Sequence, residues 1–317
     1  MKKKNILITG GAGYIGTELC NFLSQKNNIY CLDTFWFGHG LKKKIKKINH
    51  DVRNYSNRKL IRKIDTIIHL AAIANDPSVE LNPKLSWEVN VLGTFNMLNL
   101  AEKCGVKKFI FASSGSVYGI KKEIKVHENL NLEPISEYNK TKMIAERIVM
   151  SFSKKIKTVI IRPATVCGIS KNPRFDLTVN TLTKDALLKK KINIFGGMQY
   201  RPNLHIKDMI NIYDFFIKKN LTGIFNAGFE NFSINQIAKK IIKTLPKTKF
   251  VIKKSNDARS YRIDSSKLLK AGFKPRYSVN NAIQELKQEI NKKFIDKKYY
   301  YRVSWLKKIL KKKHNKL

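Results

Sequence analysis

Tyr138-Asn139-Lys140-Thr141-Lys142 sets a phenol and an ammonium four residues apart. On a helix that spacing puts both on one face, about one turn apart. A phenol with a pKa near 10 is a poor base at neutral pH. A neighbouring cation favours the phenolate and lowers that value, which is what proton transfer needs. Upstream, Ser113-Ser114-Gly115-Ser116-Val117-Tyr118-Gly119 follows the apolar run Lys108 to Ser113. A hydroxyl in this segment can hydrogen-bond an oxygen that exchanges its proton with Tyr138. Alone, the Tyr/Lys pair would be a solvated helix face. Its company decides the reading.

That company begins at the N-terminus. Gly11-Ala12-Gly13-Tyr14-Ile15-Gly16 fits G-x-G-x-x-G, and Gly10 adds G-x-x-G-x-x-G. Glycine supplies a tight turn, lets the backbone touch a pyrophosphate and lets the next helix pack close on the strand. The helix then points its N-terminal N–H groups at the phosphates. A lone match is weak, but this one follows an apolar run, opens a helical pattern and has an acid, Asp33, about 20 residues on. A carboxylate there accepts hydrogen bonds from ribose hydroxyls and repels a 2′-phosphate, so the expected cofactor is NAD rather than NADP.

These groups need elements to carry them. Lys4 to Thr9, Asn28 to Asp33, Asp65 to Ala72, Lys108 to Ser113 and Thr158 to Arg162 read as buried strands. Helices are expected at Thr17 to Gln25, through Val91, Phe95, Leu98 and Ala101, and at Tyr138 to Ser151. Alternating strands and helices predict an α/β chain with a doubly wound parallel sheet. After Gly168 the pattern is less regular, with helices near 176–189, 233–245 and 280–293. The expected organisation is a dinucleotide-binding domain over 1–168 and a smaller C-terminal substrate-binding lobe over 169–291, some of whose segments return to the sheet. A basic tail spans 292–317.

Thr9 to Gly16, Asp51-Val52-Arg53, Leu70-Ala71-Ala72, Ser113 to Gly119 and the Tyr138/Lys142 pair together resemble an extended short-chain dehydrogenase/reductase. The nearest group is the NAD-dependent nucleotide-sugar epimerases and dehydratases, typified by UDP-glucose 4-epimerase, and the resemblance runs from about residue 4 to residue 290. It implies a Rossmann-type sheet. It implies that Asp51 and Val52 contact adenine and that Leu70, Ala71 and Ala72 line the cofactor together with Gly10, Gly13, Tyr14, Ile15, Gly16, Asp33 and Pro163. Asn90 matches the family's helix asparagine and is expected at the cofactor, its bland role being packing. Ser114 would be the catalytic hydroxyl, Tyr138 the acid/base and Lys142 its partner on the nicotinamide ribose. In the lobe, Asn180 and Arg201 match positions that hold a nucleotide diphosphate, a task suited to a guanidinium fork. Arg259 or Arg262 is a further candidate, and Thr165 faces the sugar.

Departures narrow the reaction. In the family's 4,6-dehydratases the catalytic hydroxyl is followed by Asp-Glu; here Gly115 and Ser116 stand there, which disfavours water loss. Thr165 replaces the asparagine of the UDP-sugar epimerase, and Cys167 a common tyrosine. Trp36-Phe37 could wall the adenosine end or simply pack a loop. The expectation is a nucleotide-sugar epimerase acting at C4 through a transient keto sugar. The alternatives are a dehydrogenase or keto-sugar reductase with net NAD(H) turnover, and a non-catalytic NAD-sensing module that would be expected to lose Tyr138 and Lys142.

The chain has 317 residues, 43% of them hydrophobic, and a formal net charge of +40. Lysines are spread over nearly every segment rather than in one patch, which argues against a specific nucleic-acid site, though a diffuse positive field would draw in an anionic substrate. The expected partners are therefore a nucleotide-diphosphate sugar and a second copy in a homodimer, through the helices near 90–103 and 138–151. Four scattered cysteines lack metal or redox spacing, so no metal is expected. The start resembles a signal peptide only in its charge, its apolar run being too short, so a cytoplasmic protein is expected. Trp305, Leu306, Ile309 and Leu310 fall at helical spacing in the basic tail. Such a helix could lie on a membrane surface; the reading taken is that it packs on the body or frays.

Overall fold

The computed structural model describes residues 3–254, 260–290 and 294–314. Twelve strands run in chain order: β1 Asn5–Thr9, β2 Asn28–Asp33, β3 Lys46–Asn49, β4 Thr66–His69, β5 Lys108–Ala112, β6 Lys157–Pro163, β7 Thr165–Cys167, β8 Lys191–Phe195, β9 Tyr200–His205, β10 Gly223–Ala227, β11 Glu230–Ser233 and β12 Lys249–Lys253. Seven of them form one parallel sheet in the order β10-β6-β5-β4-β1-β2-β3.

A parallel sheet covered on both faces explains the continuous apolar runs. Successive side chains point to opposite faces, and the packing divides accordingly. Ile6, Ile8, Ile68, Ile110, Val159 and Ile161 join one core. Leu7, Ile67, Phe109, Phe111 and Ile160 join the other. Each such side chain contributes about 1.5–3 kcal/mol when fully buried. The helices Tyr14–Leu23 and Ile206–Lys218 cover the first face, and Gly93–Lys103 and Glu137–Ser151 cover the second.

The chain winds outward from β1 to β2 and β3 on one side, and through β4, β5 and β6 on the other. Between β1 and β4 the winding reverses, and in open α/β sheets ligands collect beyond the carboxyl ends at such a point. Five of the segments singled out in the sequence for chemistry leave the carboxyl ends of sheet strands there: the glycine loop after β1, Asp33 closing β2, Leu70 to Ala72 after β4, Ser113 to Ser116 after β5, and Thr165 after β6.

Over that edge sit the small sheet β11-β9-β7, the pair β12-β8 and the helices Thr178–Lys189, Ile234–Thr244 and Val279–Glu289. Their shared core includes Leu182, Ile192, Ile237 and Ile283. Helix starts agree with local chemistry: Ser136, Ser233 and Ser278 each cap a helix through the side-chain oxygen. The helix Arg302–His314 packs back on the body through Leu306 and Leu310, in the core that holds Val52. Among the described residues no helix is long and apolar enough to cross a membrane.

Candidate active site at the carboxyl edge of the sheet

One cavity of about 800 Å³ runs along this edge, within the range usual for ligand pockets. Gly10, Gly13, Tyr14, Ile15, Gly16, Asp33, Asp51, Val52, Leu70, Ala71, Ala72, Ser114, Ser116, Tyr138, Lys142, Pro163, Thr165 and Arg201 all line it. Residues far apart in the chain thus share one wall.

The glycine loop shows why each glycine stands where it does. Gly10 has φ +66°, and a Cβ there would lie 2.7 Å from the Ala71 nitrogen. A Cβ on Gly16 would lie 2.3 Å from the Gly10 carbonyl oxygen. Gly13 differs, its Cβ meeting only that carbonyl at 3.3 Å, so its free side faces the cavity. Gly13 is also the first residue before the helix Tyr14–Leu23, which carries no acid in its first turn to compete for the dipole. Asp33 braces the loop: the Ala12 N–H donates to its Oδ2 at 3.0 Å and the Phe35 N–H to its Oδ1 at 2.8 Å. Burial pushes the Asp33 carboxyl up, and those backbone donors pull it back. A cradle open at Gly13 and closed at Gly10 and Gly16, with a carboxylate at its far end, fits a dinucleotide.

At the other end, Glu137–Ser151 presents Tyr138 and Lys142 on one face. The Tyr138 phenol and Ser114 share one wall, and the serine hydroxyl is among the groups that favour the phenolate. Ser114 Oγ lies 2.7 Å from Ser116 Oγ, whose hydroxyl donates to Asn139. Lys142 Nζ donates to the Ala112 carbonyl at 2.7 Å and lies 4.7 Å from the Phe111 ring centroid. The expected lowering of the phenol by the adjacent ammonium is not what the geometry gives. Burial pushes Tyr138 up to about 12, and the cation that counters it most is Arg174. Burial also lowers Lys142 to about 8, with Glu146 opposing.

Behind these groups runs a buried network. Arg162 and Glu146 form an ion pair at 2.7 Å with both side chains almost wholly buried. Ser113 Oγ donates to Glu146, and Arg162 Nη1 donates to the Tyr118 hydroxyl at 2.8 Å. Burying two charges is tolerated only with this degree of pairing and hydrogen bonding. The network locks the helix of Tyr138 to the ends of β5 and β6.

Two expected ligand-binding residues do not line the cavity. Asn90 sits in a π-helical turn, 1% exposed and off the cavity wall; its amide exchanges hydrogen bonds with the Ile73 backbone and donates to Thr141. Packing, its bland role, is what the structure displays. Asn180 is also 1% exposed. Its oxygen accepts from the Gly168 N–H, and its NH2 group donates to the Tyr14 hydroxyl and the Gly168 and Arg174 carbonyls. Thr178 and Thr181, on the same helix, reach the cavity instead. Arg259 lies outside the described residues. Arg262 stacks on Tyr200, 3.7 Å from the ring centroid, off the cavity wall.

The sequence reading missed several cavity residues. Arg174 and Asp176 pair at 2.6 Å on the wall near Tyr138, and Tyr261, Phe195 and Gln199 line the lobe side. Their signal was slight: Arg174 is the only arginine between Arg162 and Arg201. Trp36 and Phe37 both line the cavity. Cys167 is fully buried in the lobe core. Gly115 also has a structural reason, since a Cβ there would meet Ile263 Cδ1 at 2.3 Å.

A model of the NAD dependent epimerase/dehydratase family matches residues 6–228. A putative UDP-glucose 4-epimerase of Methanocaldococcus jannaschii is 29% identical over 296 residues, covering 89% of this chain and 96% of the relative. UDP-glucuronic acid decarboxylase 1 of Danio rerio is 26% identical, covering 93% of this chain and 76% of the relative. The crystal structure of UDP-glucuronic acid 4-epimerase from Bacillus cereus, in complex with UDP-glucuronic acid and NAD, superposes with a TM-score of 0.79 at 29% identity. That superposition covers 90% of this chain and 99% of the other.

Proposed function

Because this chain belongs to the NAD-dependent epimerase/dehydratase family, we propose that it inverts C4 of a nucleotide-diphosphate sugar through a transient 4-keto sugar. NAD, when bound, supplies the chemistry of accepting a hydride from the sugar carbon and giving it back to the opposite face.

The chain's own residues do the rest. Tyr138 takes the C4 hydroxyl proton as the carbonyl forms and returns it as the carbonyl is reduced. Ser114, beside Tyr138 on the cavity wall, shares the sugar oxygen during both transfers and is itself oriented by Ser116. Lys142 holds the nicotinamide ribose, and Arg174 is the cation that most favours the forming phenolate. Arg201 binds the diphosphate from the lobe side, and Thr165 meets the sugar. The loop Gly10 to Gly16 and Asp33 hold the dinucleotide at the far end.

The observation that carries this reading is Tyr138, Ser114 and Lys142 on the wall of one cavity with the glycine cradle, with a glycine rather than an acid after Ser114. Without an acid–base pair after Ser114, the keto sugar has no group to drive loss of water and is returned to alcohol. A second copy docked on the helices Gly93–Lys103 and Glu137–Ser151 completes the proposed assembly.

The test is mass spectrometry and NMR of a nucleotide-sugar panel incubated with the protein and trace NAD, with NADH followed by absorbance. The expected product has unchanged mass and inverted C4, with no net NADH. A product two hydrogens lighter with stoichiometric NADH would make the enzyme a dehydrogenase. A product lighter by one water would sink the argument from Gly115. Tyr138→Phe is expected to lower turnover by about 10²–10⁴-fold, the usual worth of a general acid/base.

A further inference from the structure

The last helix does more than fill a surface. Arg302, its first residue, is 6% exposed. Its Nη1 donates to the Tyr299 carbonyl at 2.8 Å and the Phe37 carbonyl at 3.4 Å; its Nη2 donates to the Pro173 and Asn172 carbonyls at 3.4 and 3.5 Å. The guanidinium lies 4.7 Å from the Phe37 ring centroid. One turn on, Trp305 Nε1 donates to the Trp36 carbonyl at 2.6 Å, and Leu306 is 2% exposed. The helix is thus stitched to the loop that follows Asp33. Arg302 and Leu306 line the same cavity as Asp33, Asp51 and Val52.

All four described hydrogen bonds of Arg302 go to carbonyl oxygens. Among the described residues no carboxylate stands within ion-pair distance of it. A cation buried without a counter-charge is costly, and burial lowers Arg302 to about 10. Asp176 and Asp33 are the nearby acids that favour its charge, and Arg302 in turn helps to keep the Asp33 carboxyl ionised. A positive group set into the wall of a cavity suited to a dinucleotide answers the anionic ligand that the cavity is shaped to take.

We propose that the C-terminal helix is part of the dinucleotide site: Arg302 and Leu306 close the end that carries Asp33, the charge of Arg302 complements the anionic cofactor, and the closed end retains NAD from one turnover to the next. The proposal rests on the NAD reading of the cavity and goes beyond the reaction proposed above. Retention suits an isomerase, whose cofactor ends each cycle in its starting state and has no need to leave.

The test uses the full chain with no sugar nucleotide present. NAD content after purification and desalting, and the rate of NAD release, are measured for the parent, Arg302→Gln, Leu306→Ala and Lys308→Gln. Lys308 is exposed on the same helix and removes the same charge from the molecule. The parent and Lys308→Gln are expected to keep bound NAD through desalting. Arg302→Gln and Leu306→Ala are expected to release it at least about tenfold faster, a loss of about 1.4 kcal/mol. A purely structural helix would lower the melting temperature of NAD-stripped protein in both variants and leave release rates unchanged; that result overturns the proposal. Equal losses from Lys308→Gln would overturn it too, by making the effect one of net charge. If NAD is retained as expected but no sugar is inverted, the reaction reading fails and this one stands.

Discussion

The two titrating groups of the site pull in opposite directions, and that sets how activity must follow pH. Burial holds the Tyr138 phenol up at about 12 and the Lys142 ammonium down at about 8. The competent form has Tyr138 ionised and Lys142 charged. Below about pH 8, Lys142 stays charged while the phenolate fraction grows tenfold per unit. Between about 8 and 12, growth of phenolate is cancelled by loss of the ammonium. The logarithm of kcat/KM should therefore rise with unit slope to about pH 8 and flatten above it. In Lys142→Met the break near 8 should vanish and the rate be low throughout. A parent profile that is flat from pH 6 to 8 would remove Tyr138 from the role of base.

At the scale of elements, the turn from β1 into the helix Tyr14–Leu23 separates two kinds of glycine. Gly16→Ala puts a methyl 2.3 Å from the Gly10 carbonyl oxygen and 2.6 Å from the Gly11 Cα, so the strand and helix must part. Gly13→Ala has only a 3.3 Å contact and an ordinary φ of −72°, so the fold survives while the methyl enters the cavity. The expectation is that Gly16→Ala lowers the melting temperature with or without NAD. Gly13→Ala should melt like the parent when NAD is stripped, yet lose most of its gain on adding NAD. This element was legible in the sequence because its chemistry is local: strand, turn, helix and Asp33 lie within 29 residues, Asn5 to Asp33. The same holds for Tyr138 and Lys142, one turn apart on one helix. For Asn180 the sequence shows identity but not direction; only tertiary packing shows its amide bonded to Gly168 and Tyr14. Arg174 and Arg302 were invisible for the complementary reason. Arg302 acquires meaning from the carbonyls of Phe37, Asn172 and Pro173, more than 100 residues away, and Arg174 from sharing the cavity wall with Tyr138, and no period or motif encodes either. β10 joins the big sheet after a lobe segment, again a fact of pairing rather than pattern.

Stability of the whole molecule in acid should depend on one core group. His69, at the end of β4, lies between the Thr9 hydroxyl at 2.7 Å and the Thr94 hydroxyl at 3.1 Å and is fully buried. Thr94 donates its own proton to the Asn90 carbonyl, so the His69 Nε2–H is the donor to Thr94 and the imidazole is neutral. Burial, reinforced by Lys142, lowers its pKa to about 3. Between about 3 and 6.5 the unfolded chain binds a proton that the folded chain refuses, so stability falls as pH drops through that window. From pH 7 to 5 this one group should cost about 2 kcal/mol. Urea unfolding should show that loss in the parent and its absence in His69→Gln, whatever the variant's stability at pH 7.

The surface of the whole molecule carries the last expectation. Its +40 charge is spread widely, and some of it is structural: Lys108 Nζ donates to the Phe216 and Lys219 carbonyls and Lys4 Nζ to that of Ile217, satisfying the end of one helix. Against this background, Leu92, Phe95 and Met150 stand 58%, 48% and 50% exposed around the helices Gly93–Lys103 and Glu137–Ser151. Phe95 packs edge-on to Phe152, at 6.2 Å between ring centroids, so the two helices already present one surface. Two copies related by a two-fold axis would bring this patch against itself, and any one substitution would then strike the interface twice. None of the three residues lines the cavity. Sedimentation should find the parent dimeric at micromolar concentration and Phe95→Glu or Met150→Glu monomeric, with NAD binding kept because the cavity is closed within one chain. A parent that sediments as a monomer under those conditions would rule out a second copy as the partner of this patch.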